Sequence, residues 1–379
     1  MRITKIETWK YWIQWCNWLL VKVSTDEGVY GWGEGSLHGA IESVETYIHE
    51  LGAALIGLDP AGVEAHWQRM YHAWRWRGGM TQMTAIGALD MALWDIEGKR
   101  LGVPVYRLFG GPFRDRLRAY TSHWLRGAKT PEQAYEGARE CVRRGFTAFK
   151  WNPIDAETLR ANERRAIARA TALMGAAREG AGPDVDIFMD FGERLSPRTA
   201  VTLANTLAPY GVGWFEEPIP CENPQAMINL ARELPVPIAT GERLVTRWEI
   251  RELLEGGGCK ILQPDLMHCG GLSEVRRMAA LADMHYVSVA PHNPAGPICT
   301  LAAMHLAASI PNFYILEEME MERELRDALC TEPVVCRDGY FELPTEPGLG
   351  TDLRLEALEG PEYAFRPQPV RESADSLWR

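Results

Sequence analysis

From about residue 116 onward the chain repeats one unit, a short apolar run followed by a helical stretch, and few folds can use that rhythm. Candidate strands lie at 117–121, 146–150, 185–190, 212–216, 237–241, 259–263, 286–290 and 313–317, eight in all. Short strands alternating with helices are the pattern of βα repetition, and eight such units describe a parallel α/β barrel. After roughly residue 330 the rhythm fails. Gly339 to Pro344 then reads as a strand leaving the barrel, in a tail expected to pack back on the first domain.

The same interval governs the polar residues. Asp190 (VDIFMD), Glu216 (GVGWFE) and Glu242 (PIATGE) are 26 residues apart, Asp265 (ILQPD) follows after 23, His292 (VSVAPH) after 27 and Glu317 (NFYILE) after 25. Residues one βα unit apart fall on the same rim of a barrel, so side chains remote in sequence converge. Three carboxylates there, without Cys or His at matching spacing, describe a site for a hard cation, Mg²⁺ with Mn²⁺ as an alternative, rather than Zn²⁺.

Residues 2–10 and 18–25 alternate in polarity, and Asp26-Glu27-Gly28 makes a turn before Val29 to Trp32, which gives an antiparallel sheet. Helical spacing follows in Ile41, Val44, Ile48, Leu51 and Leu55, again around Trp67 and Met70, and from about Thr81 to Leu101, where Gly102 and Pro104 stop it. The chain of 379 residues thus divides into an α+β unit (1–115), a barrel (116–330) and a tail (331–379).

Composition removes several classes of function. A net charge of −11 and a pI near 5.4 disfavour nucleic acid and anionic membranes as partners. The start, MRITKIETWK, has no apolar signal core and no apolar run approaches 18 residues, so a soluble, cytoplasmic protein is expected. The eight cysteines form no CxxC pair, which fits buried, reduced thiols. An anionic substrate would need positive charge from a metal or from Lys150, Arg194 and Arg243.

Each candidate has a plainer reading. A carboxylate at a strand end commonly caps a helix or forms a surface ion pair; the equal spacing of the set is what favours a metal. His292, in the tight loop HNPAGP, is either a structural histidine or a general base whose tautomer Asp265 fixes. Glu317 either forms a salt bridge on the following helix or lies near metal-bound oxygens. Lys150, ending the second candidate strand with Asn152, clamps a substrate carboxylate or simply pairs with Asp190. Cys269-Gly270-Gly271 lacks a full phosphate-loop pattern and reads as a strand-to-helix turn. The tryptophans at 12, 15, 18, 74 and 76 read as core, or in part as a lid formed by the apolar loop 12–17 between two strands.

The segments TDEGVYGWGE, ALWDIEGKRLGVPVYRLFGG, FTAFKWN, MDFGER, FEEP, GER, QPDLMHCGG and APHNPAGP, which span nearly the whole chain, resemble the enolase superfamily. Within its mandelate racemase subgroup they are most similar to galactonate dehydratase-like sugar-acid dehydratases. The resemblance implies an N-terminal α+β capping domain completed by the C-terminal tail and a modified (β/α)7β barrel. It implies one Mg²⁺ on Asp190, Glu216 and Glu242, a basic dyad of Asp265 and His292, and Glu317 near the bound carboxylate; a His base working with Mg²⁺ is the general pattern of this superfamily and enters here through the resemblance alone. Lys150, Asn152, Arg243 and His123 become candidate substrate contacts, and a homo-oligomer is expected.

Two departures from the family pattern stand out. The second strand reads Lys150-Trp151-Asn152 in place of Lys-x-Lys, which removes one base of a two-base racemisation. The Asp-Phe-His of galactonate dehydratases, whose histidine protonates the departing hydroxyl, here reads Asp190-Phe191-Gly192. The expectation is dehydration of an aldonic acid such as galactonate, gluconate or a pentonate to a 2-keto-3-deoxy acid, with protonated His292 returning its proton in a syn elimination, and His123, Glu193 or a residue of the cap as alternative acids. The alternatives are a hydroxy-acid racemase or epimerase and a non-catalytic binding protein that keeps fold and metal.

Overall fold

A computed structural model describes residues 1–125, 127–154 and 156–368. Strands β1 (Ile3–Trp12), β2 (Asn17–Thr25) and β3 (Tyr30–Glu34) form an antiparallel sheet in that order. Helices α1 (Ile41–Ala53) and α3 (Met80–Leu101) pack on it, α2 (Val63–Tyr71) packs against α3, and α3 is buried along most of its length. Glycine makes the contact between β3 and α3: a Cβ at Gly31 or Gly33 would overlap the carbonyl oxygen of Ala92 or Ala88.

Past α4 (Val105–Leu108) the chain alternates strand and helix: β4 (Arg116–Thr121), α5 (Pro131–Arg143), β5 (Ala148–Trp151), α6 (Ala156–Ala161), α7 (Glu163–Ala181), β6 (Asp186–Asp190), α8 (Pro197–Leu207), β7 (Val212–Glu216), α9 (Pro224–Glu233), β8 (Ile238–Thr240), α10 (Arg247–Gly256), β9 (Ile261–Leu262), α11 (Gly271–Met284), β10 (Ser288–Val289), α12 (Pro297–Ser309) and β11 (Leu316–Glu318). Successive strands from β4 to β10 pair in parallel, Val289 bridges Phe313 in the parallel sense, and β11 pairs with β4. Each strand region contributes one residue to a single buried cluster, Tyr120, Ala148, Phe188, Trp214, Ala239, Ile261, Ala290 and Ile315. Such a layer of one side chain per strand is the filled interior of a barrel, and with seven helical crossovers among eight strands the fold is a (β/α)7β barrel under an α+β cap.

Two local features differ from the sequence expectation. The helix expected from Ala156 to Glu179 breaks at Asn162, which leaves helical geometry and accepts a hydrogen bond from the Arg165 backbone N–H, capping α7 anew. The tail strand β13 (Tyr340–Glu342), in a hairpin with β12 (Cys336–Arg337), pairs antiparallel with the first half of β4, residues 116–118, while β11 takes the second half. The chain then reaches the cap: Asp352 accepts bonds from the Tyr30 hydroxyl and Trp32 Nε1, and Asn17 Nδ2 donates to the Arg366 carbonyl. The rest of the expected tail, 369–379, lies outside the described residues. No helix among the described residues is long and apolar enough to cross a membrane, and the eight cysteines are free thiols.

One buried histidine ties barrel to tail and makes stability depend on pH. His305 on α12 is fully buried; its Nδ1 accepts from the Tyr106 N–H (3.2 Å), so Nε2 carries the proton and donates to the Leu349 carbonyl (3.1 Å). Burial pushes its pKa down from 6.5 to about 4. The folded form therefore resists a proton that the unfolded chain accepts, so this contribution is intact above pH 6.5 and is lost as pH falls toward 4. The loss is on the order of 3 kcal/mol. Urea midpoints should fall across this window in the wild type, and the fall should be smaller in His305→Gln; equal slopes would exclude this role.

Candidate active site

The C-terminal ends of the barrel strands bring the candidate residues to one rim. Asp190 and Glu216 end β6 and β7 and are direct register partners, and Glu242 follows β8 by two residues. Asp265 and His292 are bridge partners beyond β9 and β10, and Glu317 lies in β11. Lys150 in β5 sits between them, buried to 2% exposure.

Ion pairs organise this rim. Lys150 Nζ pairs with Glu216 and, at 3.0 Å, with Glu317; its partners are these two carboxylates rather than Asp190, whose Oδ1 accepts from the Gly192 N–H at 2.9 Å. Glu216 Oε2 also accepts from Gln263 Nε2 (2.7 Å) and Trp214 Nε1 (3.1 Å). Glu317 Oε2 accepts from the Asn293 N–H at 2.8 Å. Burial opposes a charged lysine here, yet the charges of Glu216 and Glu317 outweigh it and hold Lys150 well above its ordinary pKa.

His292 stands between two acids. Its Nδ1 is 2.8 Å from Asp265 Oδ2 and its Nε2 is 3.3 Å from Glu242 Oε2. Asp265 is oriented by its other oxygen, which accepts from the N–H groups of Met267 (2.8 Å) and His268 (3.2 Å). Burial disfavours the imidazolium, but the Glu242 charge, the Asp265 hydrogen bond and the Glu317 charge together raise the pKa to about 10. Nδ1–H is thus committed to Asp265, and Nε2 is the nitrogen left for proton exchange.

Arg243 is engaged by acids on three sides, Glu193 (2.9 Å), Glu242 (3.3 Å) and Glu217 (3.4 Å). Lys150, Asn152, His123, Asp190 and Gly192 line a cavity of about 490 Å³, with Trp15 of the β1–β2 loop and Arg194 also on its wall. Asn152 Oδ1 accepts from the Ile154 N–H, so that side chain is already fixed. Arg194 is exposed at this wall, and its guanidinium makes no hydrogen bond or ion pair among the described residues. Of the tryptophans, Trp18 is core, Trp76 is 84% exposed, and Trp15 is anchored by Nε1 to Glu322 (2.8 Å).

Seven carboxylates (Asp190, Glu193, Glu216, Glu217, Glu242, Asp265, Glu317), five of them buried, face three cations (Lys150, Arg243, His292) on this rim. Burial first, and then the charges of Asp190, Glu317 and Glu242, push Glu216 above the usual carboxylate range even though Lys150 pulls it down. Such an excess of buried negative charge fits a bound cation, and an all-oxygen donor set fits a hard one. The three expected ligands are not gathered within 4.8 Å of one another; Lys150 holds Glu216, while His292 and Arg243 hold Glu242. Among the described residues the set that is so gathered is Glu193, Cys221 and Glu222. There Glu193 already accepts from Arg243 and the Cys221 N–H, and burial raises the Cys221 thiol, so no thiolate is offered.

Sequence reasoning passed over Gln263, Glu217 and His268. Gln263 and Glu217 sit inside quoted motifs, QPD and FEEP, two residues before Asp265 and one after Glu216. His268 Nε2 lies 3.8 Å from Asp265, and His268 Nδ1 is 3.1 Å from the Thr84 hydroxyl of the cap.

Comparison with known proteins agrees with this architecture. The family model described as Enolase C-terminal domain-like matches residues 133–357, and that of the Mandelate racemase / muconate lactonizing enzyme N-terminal domain matches residues 12–110. The D-galactonate dehydratase of Pectobacterium atrosepticum is 38% identical, covering 94% of this chain and 94% of its own length. That of Cronobacter sakazakii is 37% identical over 100% of this chain and 98% of its own. A crystal structure of an enolase from Agrobacterium radiobacter, with bound Na and L-malate, superposes with a TM-score of 0.89 at 31% identity, covering 99% of this chain and 98% of that one. The chain therefore belongs to the mandelate racemase / muconate lactonizing enzyme family of the enolase superfamily, and within it to the hydro-lyases of the galactonate dehydratase-like group.

Proposed function

We propose that the protein dehydrates an aldonic acid, such as galactonate, gluconate or a pentonate, to a 2-keto-3-deoxy acid, with Mg²⁺ held by Asp190, Glu216 and Glu242. The observation that carries this reading is the Asp265–His292 pair at 2.8 Å on the same rim as those carboxylates. A proton α to a carboxylate is far too weakly acidic for an imidazole unless the charge that develops is stabilised. Mg²⁺ when bound supplies that stabilisation as a Lewis acid.

The side chains divide the remaining work. Glu242 is one of the three carboxylates that would hold Mg²⁺, and engaged there its charge would be shared with the metal rather than offered to His292 Nε2 alone, which would favour the neutral, basic imidazole. Nε2 takes the α-proton while Asp265 fixes the ring. The β-hydroxyl then departs with that same proton as water, a syn elimination, and the enol tautomerises to the ketone. Glu193, one of the sequence candidates for the acid, is held by Arg243 and the Cys221 N–H; His123 lines the cavity, but His292 is the group that already carries the abstracted proton, and we assign the return of the proton to it. Lys150 holds Glu317 beside the substrate carboxylate, Trp15 narrows the cavity, and Arg194 offers an exposed cation on its wall.

A panel of aldonic and aldaric acids, incubated with Mg²⁺ and read for 2-keto product, tests the proposal. At least one acid should turn over, with the activity lost in chelator and restored by Mg²⁺. Exchange of the α-proton without loss of water would instead identify a racemase or epimerase, and neither exchange nor product from any acid would sink the aldonic-acid reading.

A further inference from the structure

The barrel helices that follow the two dyad loops lack caps of their own. α11 begins six residues after Asp265 and α12 five residues after His292, and their N-cap residues are Gly270 and Gly296, neither with a side chain to bond the free N–H groups. Two carboxylates of the capping domain do so instead. Glu34, at the end of β3, accepts from the Gly296 N–H (2.8 Å) and the Cys299 N–H (3.1 Å), and the Ser36 hydroxyl fixes it at 3.0 Å. Asp90, on α3, accepts from the Ser273 N–H (3.0 Å) and the Ser273 hydroxyl (2.5 Å).

Both carboxylates are completely buried. The approach depends on glycine on the barrel side: a Cβ at Gly296 would lie 2.8 Å from both Glu34 oxygens, and one at Gly271 would lie 2.5 Å from Asp90 Oδ2. Buried helix N-termini with no local cap need an acceptor, and a carboxylate there is favoured by the helix dipole as well.

We propose that Glu34 and Asp90 are positioning residues for the dyad: by capping α12 and α11 from the other domain, they hold the loops that carry His292 and Asp265 in the register that forms their hydrogen bond. This inference rests on the reading of that dyad as the base. A displacement of about 1 Å at reacting groups costs on the order of 100-fold in rate, so a small slip of either loop is enough to matter.

The test uses the full chain and the variants Glu34→Gln, Asp90→Asn and Asp95→Asn, with His292→Asn as reference. Asp95 is a matched control: it is equally buried on α3 but accepts from Trp32, Lys99 and Leu349, none on a dyad helix. The first readout needs no ligand: the downfield proton resonance of the His292–Asp265 bond, identified by its disappearance in His292→Asn. It should shift or broaden in Glu34→Gln and Asp90→Asn and stay unchanged in Asp95→Asn, although all three lower the thermal midpoint. If Glu34→Gln does not fold, Ser36→Ala, which removes the hydroxyl bond to Glu34, replaces it; if Asp90→Asn does not, Ser273→Ala, which removes the hydroxyl bond to Asp90, replaces that one, each with the same expected direction.

The second readout is α-proton exchange on galactonate, gluconate and a pentonate. kcat should fall roughly 10- to 100-fold in the two positioning variants with KM little changed. An unmoved resonance in both variants, or an equal shift in Asp95→Asn, would overturn the proposal. Exchange that survives in His292→Asn would instead overturn the base reading, and the resonance reports the positioning independently of it.

Discussion

Replacing His292 with Asn is expected to abolish exchange of the substrate α-proton with deuterated water and to lower product formation by about 10²- to 10⁴-fold, the range for loss of a general base. Asn removes Nε2, the ring nitrogen not committed to Asp265, while leaving a short polar side chain beside that acid. Asp265 keeps the N–H groups of Met267 and His268, so the loop remains pinned and the substitution tests chemistry more than architecture. Its counterpart, Asp265→Asn, disturbs the tautomer rather than the base itself and should retain more activity. The measurement is the decay of the α-proton signal in the wild type and both variants, with binding of the acid followed separately. Exchange that persists at the wild-type rate in His292→Asn would remove this residue from the mechanism.

The period of the barrel was legible because a parallel strand buried on both faces is a short apolar run and its helix is not, so each strand region appears within a few residues of its expected place. The rim residues followed from that period alone. What the spacing could not decide was which partners meet across the rim. Lys150 lies one strand from Asp190 and two from Glu216, and a strand-neighbour argument favours Asp190. Asp190 instead turns to its own loop at Gly192, and the lysine reaches across to Glu216 and Glu317. The pairing of β13 with the first half of β4 was equally hidden, because half of a strand edge is left open only when β11 enters high on β4. The roles of Glu34 and Asp90 had a faint signal: GGLS and AGPI start helices without Ser, Thr, Asp or Asn at the N-cap, which asks for a partner from elsewhere.

Lys150→Met is expected to destabilise the fold by about 3–5 kcal/mol, the cost of leaving buried charge without its partner. Lys150 is the cation shared by Glu216 and Glu317, both at most 1% exposed, and a methionine of similar length fills its space without charge. Glu216 retains only the neutral donors Gln263 and Trp214, while Glu317 retains the Asn293 N–H. Asp190, Glu242 and Glu317 still act on Glu216 with their charge, so the cluster in the variant is more negative than in the wild type. If the rim binds a divalent cation through Asp190, Glu216 and Glu242, that excess makes the cation more stabilising: millimolar Mg²⁺ should raise the urea midpoint of Lys150→Met by more than it raises that of the wild type. Lys150→Arg, which keeps the charge, should fall between the two without Mg²⁺. A midpoint unchanged by Lys150→Met would show that the two carboxylates do not depend on this cation, and a destabilised variant indifferent to Mg²⁺ would argue that the three carboxylates are not its ligands.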